Sequence, residues 1–202
     1  MERLVLVCLP ASFPLGERLI DALDPIRKEK ALRHVKEEDQ LRSALAGLLI
    51  RRYVGEETIV FNPHGKPSIP GRNSFNVSHG GDYVGIYLAE EEAGLDIEPV
   101  SRCSLQIALA AFTEEERKLV KDQRSFAEAW TRKEAISKCL GRGIESPRTT
   151  GVTPLDDGRY LYEGETYRVM SLFHDGHEIA MAKRGDGPFP GLEVISPESL
   201  LK

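Results

Sequence analysis

The sequence predicts a mixed α/β (α+β) fold built from two similar lobes, residues 1–92 and 93–202. Three observations point there. Each half reads as helices closed by a glycine, Gly55 in the first and Gly141 in the second, followed by turn-punctuated strands. The hairpin pattern SHGGDYVGIYLA has a loose counterpart in FHDGHEIAMAK. The length, 202 residues of which 41% are hydrophobic, suffices for one large domain or two lobes with a proper core. The seam then falls at residues 91–94.

Taken in order, LVLVCL is a buried strand by its apolar, β-branched run. Asp24-Pro25 is a helix-start signal before a charged segment that reaches Asp39. In LRSALAGLLIRRYV, Leu41, Ala44, Leu45, Leu48 and Leu49 stand at helical spacing, and Gly55 supplies a stop. TIVF, the turn NPHGKP, SFNVSH and YVGIYLA follow, the last two strands joined at Gly80-Gly81-Asp82 as a hairpin. The second half opens with a helix from about Ser101. FTEEERKL then offers Thr113 as N-cap with Glu116 at capping-box spacing. A further helix runs from about Ser125 to Leu140, before the strands RYLYEG, ETYRVMSLFHDG and HEIAMAK. The segment from about residue 185, rich in Gly and Pro, reads as a surface tail.

A net charge of -5 argues against a general nucleic-acid binder, so any phosphate-binding basic patch is local. No apolar run approaches the ~20 residues of a membrane span, and no signal-peptide pattern opens the chain. Three scattered cysteines match neither a disulfide frame nor a zinc site and fit reduced thiols, so a cytoplasmic protein is expected.

Four stretches could carry chemistry. In GLDIEPV, alternation turns Leu95 and Ile97 to one face and sets Asp96 and Glu98 side by side on the other. The pair is either the wet face of an edge strand or a site for a hard cation, which would cancel its repulsion. In AWTRKEAISKCLGRG, Trp130, Glu134 and Lys138 form one helical stripe, either an ordinary Glu-Lys pair or charges set against a packed surface. In FNVSHGG, Ser78 and His79 are neighbours on a strand and point apart, which disfavours a hydrolytic dyad. His79 then reads as a phosphate partner or a structural histidine. HGKP holds Lys66 on a turn but is too short for a Walker loop.

Taken together, Gly65-Lys66-Pro67, Phe75-Asn76-Val77-Ser78-His79, Gly94-Leu95-Asp96-Ile97-Glu98, Phe112-Thr113-Glu114-Glu115-Glu116 and the run from Trp130 to Gly143 resemble the Sfp-type 4'-phosphopantetheinyl transferases. The match in motifs covers about residues 61 to 147. The resemblance implies a pseudo-dimer of two α/β lobes, a monomer with an internal pseudo-twofold. It implies transfer of the phosphopantetheine arm of coenzyme A to a serine of an acyl or peptidyl carrier protein. Carried over residue by residue, Asp96, Glu98 and Glu134 would be Mg²⁺ ligands, and Lys138 would stabilise the phosphates. Glu116 would be the base, a role that competes with its cap. Lys66, Ser78 and His79 would hold nucleotide phosphates. Arg42 falls in the E-D-x-x-R-[ST] pattern on the nucleotide side. Arg27 and Lys30 occupy the family's basic pair, with Arg27 where a lysine is usual. Arg142 and Arg148 are candidates for carrier docking. The rival readings are a metal-dependent nuclease and a non-catalytic coenzyme A or carrier-binding protein.

Overall fold

A computed structural model of the chain describes residues 2–10, 13–55, 59–71, 74–104, 106, 110, 112–142, 151–155 and 158–202. Strand β1 (Arg3–Cys8) opens the chain, followed by helices α1 (Phe13–Asp21), α2 (Pro25–Leu32) and α3 (Glu37–Tyr53). Asp24 caps α2 by accepting from the Ile26 and Arg27 amides, as the Asp-Pro signal anticipates. The charged segment does not run unbroken to Asp39. It ends at Leu32, and α3 starts afresh at Glu37 with Glu37, Glu38 and Asp39 in its first turn, where acids complement the helix dipole.

Short strands β2 (Val60–Phe61) and β3 (Pro67–Ser68) pair with each other and flank the GKP turn. Strands β4 (Ser74–Gly80) and β5 (Tyr83–Ala89) form the expected hairpin, and β6 (Ala93–Pro99) follows after a short turn. A 3₁₀ turn, Val100–Arg102, stands where the helix near Ser101 was expected to begin. Helix α4 (Glu114–Arg117) is a single turn. Helix α5 (Gln123–Leu140) starts two residues earlier than the sequence implies, because Asp122 and Ser125 cap it reciprocally. It ends at Gly141 with φ 75°, a left-handed geometry that glycine adopts without strain. Strands β7 (Thr153–Pro154), β8 (Arg159–Tyr162), β9 (Glu165–His174) and β10 (His177–Lys183) complete the second half.

The strands form two principal sheets, β11-β1-β5-β4 and β6-β10-β9-β8-β7, where β11 is Leu192–Ile195. The order β1-β5-β4 in the first is repeated as β6-β10-β9 in the second, antiparallel throughout. Helix α3 covers the first sheet and α5 lies across β6 and β10 of the second. The inner faces meet in a shared core of Leu4, Leu6, Tyr87, Leu95, Ile97, Ile179 and Met181. Outward-facing Val5 and Val7 instead pack under α3 with Leu45, Leu48 and Leu49.

The segment read as a surface tail is built in. Its strand β11 runs parallel to β1, and Leu200 is buried in the core beneath α3. The apolar alternation of LEVI and the pair Leu200-Leu201 outweigh the glycines and prolines before them, which serve as the crossover from the second sheet back to the first.

Candidate active site

The two halves meet where β4 runs beside β6. Three short polar side chains at alternate positions of β4 stitch them together. Ser74 Oγ accepts from the Ala93 amide (3.1 Å), Asn76 Oδ1 accepts from the Leu95 amide (2.8 Å), and Ser78 Oγ donates to Asp96 Oδ1 (3.2 Å). Gly80 permits this approach, and Gly94 permits that of α5 to β6. A Cβ on Gly80 would stand 2.0 Å from the Ile97 carbonyl oxygen, and one on Gly94 would stand 1.9 Å from that of Ala135 on α5.

Alternation along β6 turns Leu95 and Ile97 into the shared core and Asp96 and Glu98 outward, as expected. The outward side is not open water, because α5 lies over it. Asp96 is buried, and its Oδ1 accepts from Lys138 Nζ at 2.5 Å; the same ammonium donates to Ser78 Oγ at 3.1 Å. Trp130 donates a side-chain hydrogen bond to Glu98. The stripe Trp130, Glu134, Lys138 therefore faces the carboxylates of β6, and Lys138 pairs with Asp96 across the seam between helix and strand.

Crowding shows in the titration of these groups. Burial, then the charge of Asp96, raises Glu98 to about 7, against the pull of Lys138. Glu134 is raised by the same two causes in the same order. Among the described residues, no three His, Cys, Asp or Glu side chains stand together as a ready metal nest. The donor set nonetheless suits a hard divalent cation, which binds through oxygen. Asp96 Oδ2 is buried without a hydrogen-bond partner among the described residues, and the mutual repulsion of three carboxylates is what a cation relieves.

The remaining expected residues are distributed round this centre. His79 follows Ser78 at the end of β4; the residue is solvent-exposed, and partial desolvation of its ring together with the nearby positive charges of Arg42 and Lys138 lowers its pKa. Arg42 on α3 is buried. Its guanidinium donates twice to the Gly81 carbonyl (3.1 and 2.8 Å) and pairs with Asp39 and Glu38, so it clasps the β4–β5 turn. Lys66 donates to the Cys139 carbonyl at 2.6 Å, and Asn62 Nδ2 donates to the Gly141 carbonyl at 2.7 Å, so the β2–β3 turn closes the C-terminal end of α5. Arg27 and Lys30 lie on α2, which packs on α3; Arg27 pairs with Asp24 and Lys30 is exposed. Arg142 is exposed and lies 3.6 Å from Glu163, while Arg148 and Gly143 lie outside the described residues.

Glu116 is buried on α4. Its carboxylate accepts from the Thr113 amide (2.8 Å), completing the capping box, and from the Val152 amide (2.8 Å). It also accepts from Lys133 Nζ (2.9 Å), which is fully buried. Lys133 was part of the Trp130 to Gly143 motif but drew no role from it. The signal was available: position 133 lies two turns after Phe126, on the apolar side of α5, where a lysine demands a buried acid. Glu178 was also missed. It sits opposite Glu98 on β10, buried and paired with Arg124 at 2.8 Å.

A sequence profile of the 4'-phosphopantetheinyl transferase superfamily matches residues 92–182. The 4'-phosphopantetheinyl transferase gsp of Aneurinibacillus migulanus is 34% identical over 139 residues, 60% of this chain and 59% of its own length. The 4'-phosphopantetheinyl transferase Sfp of Bacillus subtilis (strain 168) is 31% identical over 154 residues, 68% of this chain and 69% of its own. The 4'-phosphopantetheinyl transferase ffp of Bacillus subtilis is 30% identical over 215 aligned positions, 95% of this chain and 96% of its own.

Proposed function

The chain belongs to the Sfp-type 4'-phosphopantetheinyl transferases, and from that premise we propose that it moves the 4'-phosphopantetheine arm of coenzyme A onto a serine of an acyl or peptidyl carrier protein, releasing adenosine 3',5'-bisphosphate. The observation that carries the reading is the junction of Ser78, Asp96 and Lys138, with Glu98 on β6 and Glu134 on α5 beside it. A cytoplasmic location and the two-lobe division at residues 92 and 93 belong to the same proposal.

Asp96, Glu98 and Glu134 would hold Mg²⁺, which when bound neutralises charge gathering on the pyrophosphate oxygens. Lys138 reaches the same phosphates from α5 and stabilises the departing group electrostatically. Ser78 and His79 border the nucleotide side. The ring N–H of His79 can donate to a phosphate oxygen. Arg42 and Lys66 support that side by fixing the β4–β5 turn and the end of α5. Arg27 and Lys30 complete the basic set.

The carrier serine oxygen attacks the β-phosphorus, the bond from phosphorus to the departing adenosine bisphosphate oxygen breaks, and no covalent enzyme intermediate forms. Glu116 is the acceptor of the serine proton, directly or through water. Its Oε1 has two lone pairs, and accepting from the Val152 amide leaves one for that proton.

The test is to mix the protein with apo carrier protein, coenzyme A and Mg²⁺ and read the carrier by intact mass. The expected result is a gain of one phosphopantetheine that EDTA abolishes. A carrier unchanged in mass across acyl and peptidyl types overturns the reading.

A further inference from the structure

Lys138 is already committed before any phosphate arrives. Its ammonium lies 2.5 Å from Asp96 Oδ1 and 3.1 Å from Ser78 Oγ, and Ser78 itself donates to the same carboxylate oxygen. Asp96 is buried, whereas the Lys138 side chain keeps about a third of its surface exposed (32%). One partner is fixed in a strand between two packed layers. The other is on a flexible stem with a way out to solvent.

A buried carboxylate needs a counter-charge, and this one has its counter-charge on the molecule. The other oxygen of Asp96, Oδ2, is buried and unpartnered among the described residues, so the carboxylate is half satisfied. Glu134 stands one turn before Lys138 on α5 and Glu98 two residues after Asp96 on β6, and both feel the Asp96 charge.

We propose that Lys138 is the resident counter-cation of Asp96 and that a divalent cation taking up the unpartnered Oδ2 competes with it for the carboxylate charge, the ammonium then passing to the phosphates of the nucleotide. This rests on the transferase reading above. Lys138 thereby couples two ligands: the phosphates give its charge a new partner, and its departure removes a like charge from beside the metal and frees Asp96 Oδ1. Binding of the metal and of coenzyme A is then mutually reinforcing, with the Lys138 share of that coupling equal in both directions.

The experiment compares the wild-type chain with Lys138→Met, using Mn²⁺ as the binding probe read by electron paramagnetic resonance and Mg²⁺ in thermal melts. Without coenzyme A, Lys138→Met should bind Mn²⁺ at least about tenfold more tightly, because the competitor for Asp96 is gone. In EDTA it should melt below wild type, with Asp96 buried and unpaired, and Mg²⁺ should restore more of its melting temperature than it adds to wild type. The factor by which coenzyme A tightens Mn²⁺ binding should be smaller in Lys138→Met than in wild type. Adding Asp96→Asn to Lys138→Met should remove both the tighter binding and the Mg²⁺ restoration, which fixes the effect to this carboxylate. Equal Mn²⁺ affinity in wild type and Lys138→Met overturns the proposal. So does a Lys138→Met protein that stays unfolded in Mg²⁺, or one whose metal response survives Asp96→Asn. Transfer to a carrier is scored separately by mass on wild type, so this proposal and the transferase reading fail independently.

Discussion

Gly94 lies directly beneath Ala135: a Cβ on Gly94 would stand 1.9 Å from the Ala135 carbonyl oxygen and 2.5 Å from the Cys139 amide nitrogen. Helix α5 can rest on β6 because the first residue of GLDIE has no side chain. That contact sets the height at which Trp130, Glu134 and Lys138 meet Asp96 and Glu98. Gly94→Ala should lift the helix, cost about 1–3 kcal/mol or more in urea unfolding, and reduce transfer along with it. A variant with wild-type stability would show that the helix does not rest there.

Removing a carboxylate should act on transfer more than on folding. Asp96→Asn and Glu134→Ala should each lower kcat/KM for carrier modification at least a hundredfold, about 2.7 kcal/mol of transition-state stabilisation. The check is initial rates by intact mass, alongside circular dichroism to confirm a folded chain. Retained rates in either variant would refute the assignment of that residue.

The pair Lys133–Glu116 is a separate buried ion pair, 2.9 Å long, with the lysine side chain fully buried. Lys133→Met leaves Glu116 charged in a dry setting and should destabilise the fold by about 3–5 kcal/mol in urea unfolding. Lys133→Met combined with Glu116→Gln should recover a large part of that loss, because neither charge then stays unpaired. A double variant no more stable than the single one contradicts this account.

His79 gives the stability a pH dependence with a definite sign. Its pKa in the fold lies below the ordinary 6.5, so the unfolded chain takes up a proton first as the pH falls. The stability it confers is present above about pH 6.5 and is lost as the pH drops through its lowered folded value. Melting curves from pH 7.5 to 5 should show a smaller decline for His79→Gln than for wild type. Parallel declines would mean that the ring is as protonatable in the fold as outside it.

Much of this protein was legible in its sequence because the signals are local. Asp24 before Pro25, Thr113 before Glu116 and Gly141 after Leu140 each satisfy or end a helix by bonds within a few residues. The alternation of GLDIE sends Asp96 and Glu98 to one face wherever the strand is placed. Spacing alone puts Trp130, Glu134 and Lys138 on one stripe, and the order of helices and strands can be read from turns and glycines.

Which surfaces those faces meet was decided by the tertiary structure. Counted from the two hairpins, Val5 and Val7 on β1 hold the places of Asp96 and Glu98 on β6. The valines lie under α3 in an apolar core and the acids lie under α5 against Lys138 and Trp130. The same layering thus yields packing in one half and a charged cleft in the other. Lys66 bonding the end of α5, Lys133 buried against Glu116, and β11 returning to β1 all join residues far apart in the chain. A local pattern carries the propensity of a segment and the direction of its side chains. It cannot carry the partner, because a buried charge or an unpaired strand edge is satisfied by whatever group the closed fold brings within about 3 Å.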